Sequence, residues 1–126
     1  MKPGESAEVA GMRFAAVPAY NIDKPFHPRD NGWLGFVVDI GEVRVYHAGD
    51  TDFIPEMASL SADIALLPVS GTYVMNAREA VEAALAIGPT IAVPMHFGAI
   101  VGSRSDAEDF RQALRGRVDV RILEHF

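Results

Sequence analysis

A chain of 126 residues is long enough for one domain that buries roughly 65% of its unfolded surface, and too short for two. The formal charge of −6, from 17 acidic against 11 basic residues, argues against nucleic acid as a partner, because phosphate binding needs clustered Lys and Arg and these are scattered. The absence of cysteine excludes a disulfide framework and a thiolate metal site, so any metal must be held by His and carboxylate.

The opening segment Met1-Lys2-Pro3-Gly4-Glu5-Ser6 lacks an apolar signal region, and no apolar stretch approaches membrane-spanning length, so a soluble, cytoplasmic chain with no membrane partner is expected. With Gly counted and Tyr left out, apolar residues make up about 56% of the chain, against a usual 45–50%. That surplus predicts a buried interface with a partner.

In chain order, residues 7–10 and 13–17 flank Gly11 and predict a short hairpin. Residues 18–32 follow as a polar, proline-bearing loop too long for a simple connection, of the kind that often carries function. Residues 33–40 and 43–48 predict a second hairpin across Gly41-Glu42, after which strands and helices alternate. Residues 53–60 form a short helix candidate and 64–68 an apolar strand. Residues 76–87 predict a helix with Asn76 as N-cap, Glu79 at the capping-box position, Gly88-Pro89 as the stop, and Ala80, Ala83, Ala84 and Ile87 at helical spacing. Residues 90–94 are the next strand. Ser105-x-x-Glu108 predicts the opening of a last helix to about Arg115, and Val118, Val120 and Ile122 alternate with Asp119 and Arg121 as a half-exposed final strand. No repeat or linker interrupts this pattern, so residues 1–126 read as a single domain.

Right-handed crossovers make the strands at Val43, Ile64 and Thr90 parallel, with their carboxyl ends on one edge, where open α/β sheets bind ligands. The segments leaving that edge are His47-Ala48-Gly49-Asp50-Thr51, Val69-Ser70-Gly71-Thr72-Tyr73 and Met95-His96-Phe97-Gly98. Asp50 can project past the edge, where a two-oxygen carboxylate suits a bridge between cations; its simpler role is an N-cap for the helix at Phe53, shared with Thr51 or Asp52. His96 can reach a metal while apolar neighbours keep the site dry, or serve as a hydrogen-bonded strand-end residue. No G-x-S-x-G, P-loop, G-x-G-x-x-G or C-x-x-C occurs, so serine-hydrolase, nucleotide-binding and redox readings have no support.

The strand ending in His47-x-Gly49-Asp50-Thr51 and the later Pro94-Met95-His96 resemble the C-terminal half of the metallo-β-lactamase fold. The loop from Pro18-Ala19-Tyr20-Asn21 through residues 26–36 resembles the central loop of a microbial branch of uncharacterised metal-dependent hydrolases in that superfamily. The resemblance implies an α/β fold, half of a metallo-β-lactamase αββα sandwich: a mixed β-sheet with helices on one face. It also implies that Asp50 is catalytic, bridging two metals and orienting the hydroxide, and that His96 holds the second metal. His47 and Thr51 would support these ligands from behind. Ser70, Thr72 and Tyr73 would shape the substrate edge, with a simple glycine turn as the alternative.

Some branches place a ligand His near the position of Ala19 or Tyr20; this chain does not, and His27 is expected to line the pocket, with substitute ligand or cap of the turn at Pro28 as alternatives. His125 is expected to be solvated or packed. The H-x-H-x-D-H cluster of the N-terminal half is absent. Two protein ligands fall short of the three or four a zinc site needs, so a divalent metal, zinc before manganese or iron, would be held weakly by this chain alone.

Two functional expectations follow. The chain is part of a metal-dependent hydrolase, inactive alone and completed by an N-terminal-half partner or by its own full-length parent, or it is a non-catalytic half-fold that homodimerises as a structural or binding module.

Overall fold

Short strands joined by two glycine-containing turns and one long loop build the first part of the chain as a meander. The computed structural model describes residues 1–98 and 101–123. In it β1 (Ser6–Val9), β2 (Met12–Pro18), β3 (Leu34–Ile40) and β4 (Val43–His47) pair antiparallel in sequence order. β5 (Ile64–Pro68), β6 (Ile91–Met95) and β7 (Asp119–Val120) continue the same sheet in parallel, with Val45, Ile64 and Ile91 in register. α1 (Ala77–Ile87) connects β5 to β6, and α2 (Arg104–Leu114) connects β6 to β7. The carboxyl ends of β4, β5 and β6 therefore share one edge, as the sequence pattern requires.

Both helices pack on the sheet face that carries Tyr46, Ala65, Leu67, Ala92 and Val120, and most of the fully buried bulk lies there. α1 turns Ala80, Ala83, Ala84 and Ile87 inward and α2 turns Ala107, Phe110 and Leu114, the i, i+3, i+4, i+7 spacing of an amphipathic helix. Side chains alternate across a strand, so Phe14, Phe36, Val38, Val45, Ile64 and Leu66 share the opposite face, and each is only partly buried. Ile40 and Val43 at the end of that face are exposed. The helices leave this apolar face open.

Three expectations need correction. The helix expected over 53–60 is a 3-10 turn, Pro55–Ser59, preceded by Ile54 with no side-chain cap. The last helix starts two residues earlier than Ser105-x-x-Glu108 suggests. Ser103 is its N-cap, and its N–H donates to the Asp106 carboxylate at 2.7 Å, while Ser105 and Glu108 lie inside the helix and Glu108 pairs with Arg111. Only Asp119 and Val120 of the final alternating run pair with β6; Val118 and Ile122 pack against the core without joining the ladder. His125 lies outside the described residues.

Asn76 caps α1 as its spacing indicates, its Oδ1 accepting the Glu79 N–H at 2.9 Å. Asn76→Ala leaves that amide unpaired and is expected to lower stability by about 1 kcal/mol in thermal or urea unfolding.

Candidate functional site

β4 stops at His47, and the turn that follows admits glycine alone at its critical place. Gly49 has φ 71°, and a Cβ there would lie 2.8 Å from the Leu34 carbonyl oxygen. This turn throws Asp50 off the sheet edge, leaving its side chain half exposed. His96 leaves the neighbouring edge of β6 at φ 58°, and its Nδ1 stands 3.1 Å from Asp50 Oδ1. His27 comes from the long loop before β3 at φ 46°, and its Nε2 stands 3.6 Å from Asp50 Oδ2, beyond hydrogen-bond distance. Two non-glycine residues in the left-handed region therefore flank one carboxylate, a strain of about 1–3 kcal/mol each that structures keep mainly at functional sites.

The loop that carries His27 is tied down rather than free. His27 Nδ1 lies 3.0 Å from the Tyr73 carbonyl and 3.3 Å from Asn21 Nδ2, which turns Nε2 toward Asp50. Asn21, buried, donates from Nδ2 to the same carbonyl at 2.9 Å, and its backbone N–H donates to the His27 carbonyl at 2.9 Å. The His27 ring also packs edge-on against Trp33, 4.5 Å between centroids.

Thr51 and Asp52 anchor the start of this loop. The fully buried Thr51 hydroxyl accepts the Tyr20 N–H at 3.1 Å and donates to the Tyr20 carbonyl at 3.0 Å. The Asp52 carboxylate accepts the Ile22 N–H at 2.9 Å and pairs with Lys24. Neither residue caps the 3-10 turn, and neither does Asp50, so the simple capping role for this trio does not hold. Ala19 and Tyr20 are buried, and the Tyr20 hydroxyl donates to Glu56, which leaves neither in the position of a ligand.

The remaining sequence candidates divide. His47 Nδ1 accepts the Gly49 N–H at 3.2 Å, and its ring shares the open sheet face with Phe36 and Leu66. Burial pushes its pKa down and the nearby His96 adds to this, so His47 is neutral at neutral pH and supports the turn behind Asp50. The buried Ser70 hydroxyl has no hydrogen-bond partner among the described residues and faces the cavity beside Asp50. Tyr73 contributes both its carbonyl and its ring, whereas Thr72 is exposed and lies off the cavity lining.

Asp50, His96 and His27 sit in a cavity of about 770 Å³, walled by Phe26, Trp33 and Tyr73 among others. Sequence reasoning did not single out Asn21, Lys24, Phe26 or Trp33 individually. The available signal was the density of aromatic and polar residues in a loop too long for a connection. The carboxylate and imidazole donors of Asp50 and His96 suit a divalent metal. His27 remains 3.6 Å from Asp50, and among the described residues no group of three or more His, Cys, Asp or Glu side chains stands together as a complete ligand set. This chain fits a metal as a partial donor set. Among the described residues no helix is long and apolar enough to cross a membrane.

A mixed sheet with helices on one face, and a carboxylate between imidazoles at the carboxyl edge of its parallel strands, defines an α/β layer of the metallo-β-lactamase type. The family model for the beta-lactamase superfamily domain matches residues 1–97, and the chain belongs to that family. It is 38% identical to a UPF0173 metal-dependent hydrolase of Thermoplasma acidophilum, over 98% of this chain and 56% of that protein. Among solved structures it is similar to a protein of Parabacteroides distasonis named as a metal-dependent hydrolase, at 36% identity and a TM-score of 0.87, over 100% of this chain and 57% of that one. It is also similar to Igni18, a metallo hydrolase of Ignicoccus hospitalis, at 28% identity and a TM-score of 0.83, over 98% of this chain and 56% of that one. The chain thus spans little more than half the length of the curated relatives it matches.

Proposed function

We propose that this chain forms one wall of a metal-dependent hydrolase site whose remaining ligands and opposing sheet come from a completing half. The observation that carries this reading is the Asp50 carboxylate held between His96 at 3.1 Å and His27 at 3.6 Å, at the sheet edge and inside a cavity. The relatives' extra length supports it, because they have room for a second half. When bound, a divalent ion, zinc before manganese or iron, would supply Lewis acidity toward the scissile carbonyl or phosphoryl oxygen. Asp50 and His96 would hold it. The chain's other residues orient these two: Gly49 and His47 set the turn that aims Asp50, and the anchored loop keeps His27 Nε2 on its open side.

The open face of Phe14, Phe36, Val38, Val45, Ile64 and Leu66 would receive the sheet of the completing half, packed about 10 Å away as in other sheet sandwiches. A second reading rests on the same open face and on the partial ligand set: two copies of this chain pack face to face as a non-catalytic module.

Light scattering combined with activity assays on ester and phosphodiester substrates separates the two. The expected result is an inactive chain alone that associates with the N-terminal half of a close relative through more than ~1,000 Å² and gains metal-dependent hydrolysis. Asp50→Ala should abolish that gain. A stable homodimer, with no activity in chain or mixture, would favour the non-catalytic module. Asp50-dependent turnover by the chain alone would mean that two copies complete the site, and the half-enzyme reading fails. A 13.6 kDa monomer under all conditions would sink both forms of association.

A further inference from the structure

The cavity's walls carry information about the substrate that the metal-ligand types do not. Phe26 and Tyr73 meet edge to face with ring centroids 4.7 Å apart at 83°, and Trp33 stands against His27 at 4.5 Å. Although packed in these pairs, the three aromatic side chains keep much of their surface accessible, between 40% and 46% exposed. The loop that holds Phe26 and His27 is fixed from behind by the Asn21 and His27 contacts to the Tyr73 carbonyl, so the wall is built before any ligand arrives. At about 770 Å³ the cavity is large enough for a small organic molecule.

Charge then narrows the class. Among the described residues no Lys or Arg lines the cavity, although recognition of phosphate or carboxylate ordinarily uses them. The two basic residues of the loop are committed elsewhere, Lys24 to Asp52, and Arg29 to Glu56 with its guanidinium over the Tyr20 ring. Among the described residues the only carboxylate in the lining is that of Asp50, which in the metal-free chain repels an anionic ligand group placed beside it.

We propose that the cavity bounded by Phe26, Trp33 and Tyr73 of the metal-free chain binds an uncharged aromatic group in preference to an anionic one, so that this wall seats an aromatic part of the molecule hydrolysed at Asp50. The inference rests on the hydrolase reading for the word "hydrolysed", but the binding itself needs neither metal nor completing half. Ring stacking on Tyr73 and Phe26 supplies affinity, and the absence of a cation supplies the discrimination.

Trp33 is the only tryptophan of the chain and lies in the wall, so its fluorescence reports occupancy directly. The metal-free chain is titrated with methyl 4-nitrobenzoate, with 4-nitrobenzoate and with 4-nitrophenyl phosphate, using free tryptophan to correct for probe absorbance. Saturable quenching by the neutral ester, at least tenfold tighter than by either anion, is expected. Tyr73→Ala and Phe26→Ala should each weaken it several-fold, with circular dichroism unchanged because both rings are exposed; Tyr73→Phe should restore binding if ring stacking is the cause. Equal or tighter binding of 4-nitrophenyl phosphate would overturn the inference, as would quenching without saturation or quenching that Tyr73→Ala and Phe26→Ala leave intact. Failure here with metal-dependent hydrolysis intact refutes only the substrate class. Neutral-probe binding without any hydrolysis in the mixture refutes only the hydrolase reading.

Discussion

Gly35→Ala is expected to lower the melting temperature by about 10 °C, equivalent to 2–3 kcal/mol at roughly 4 °C per kcal/mol for a domain of this size. Gly35 sits in β3 where that strand passes the end of β4. A Cβ built there would lie 2.6 Å from the Ala48 carbonyl oxygen and 2.7 Å from that of His47. Both obstacles are backbone, so relief requires separating β3 from the segment that leads into Gly49 and Asp50. The effect therefore reaches the site, and the His96–Asp50 contact should loosen as stability falls. Calorimetry tests the first part, and a metal titration of the folded variant tests the second. A variant that melts within 2 °C of the parent would show that the strands tolerate the methyl group at this crossing.

Asp50→Asn is expected to leave the fold nearly unperturbed and to remove most metal affinity. The side chain is half exposed and its close partners are His96 and His27, so the isosteric amide disturbs little packing. Changes to groups that only support a ligand already cost 10–100-fold in metal affinity, so losing a direct ligand should cost at least about tenfold in the weakly binding chain. In the completed enzyme the loss of activity should exceed about 100-fold. His96→Ala should weaken binding comparably. Binding should also weaken toward acid pH, because metal binding requires the imidazole and carboxylate donors to be deprotonated. Competition with a chelating dye, followed with Zn²⁺ and Mn²⁺ across a pH series, measures all three. Parent-like affinity in both variants would place the metal elsewhere on the chain.

The elements whose stability is local were legible from the sequence. The helix 76–87 carries its own start in Asn76, its own stop in Gly88 and its own buried stripe, and it forms over Ala77–Ile87. The apolar run 64–68 had one reasonable reading, a buried parallel strand, and forms as β5. Two start signals misled because competing local bonds decided them. Ser103 with Asp106 outcompetes Ser105 with Glu108, and the Met57 and Leu60 N–H groups bond three residues back, to the Ile54 and Met57 carbonyls, closing a 3-10 turn where a helix was expected. The shared edge of β4, β5 and β6, and with it the meeting of Asp50 and His96, followed from crossover handedness, which is a rule of chain geometry and needs no coordinates.

What the sequence by itself determined, then, is the α/β layer and the placing of Asp50 and His96 at its edge, because strand period, caps and crossover hand are written over a few neighbouring residues. Only the tertiary structure decided the role of the long loop. Nothing in local spacing brings Tyr20, Ile22 and Lys24 to Thr51 and Asp52, or His27 to the Tyr73 carbonyl 46 residues away. Those contacts form only once the sheet has placed the β4 turn beside the loop, and the buried Thr51 hydroxyl must then pair with Tyr20 because water cannot reach it. In the same way, the sequence indicated a surplus of apolar residues but not its location. The one-sided packing of both helices assigns that surplus to the face of Phe14, Phe36, Val45 and Leu66.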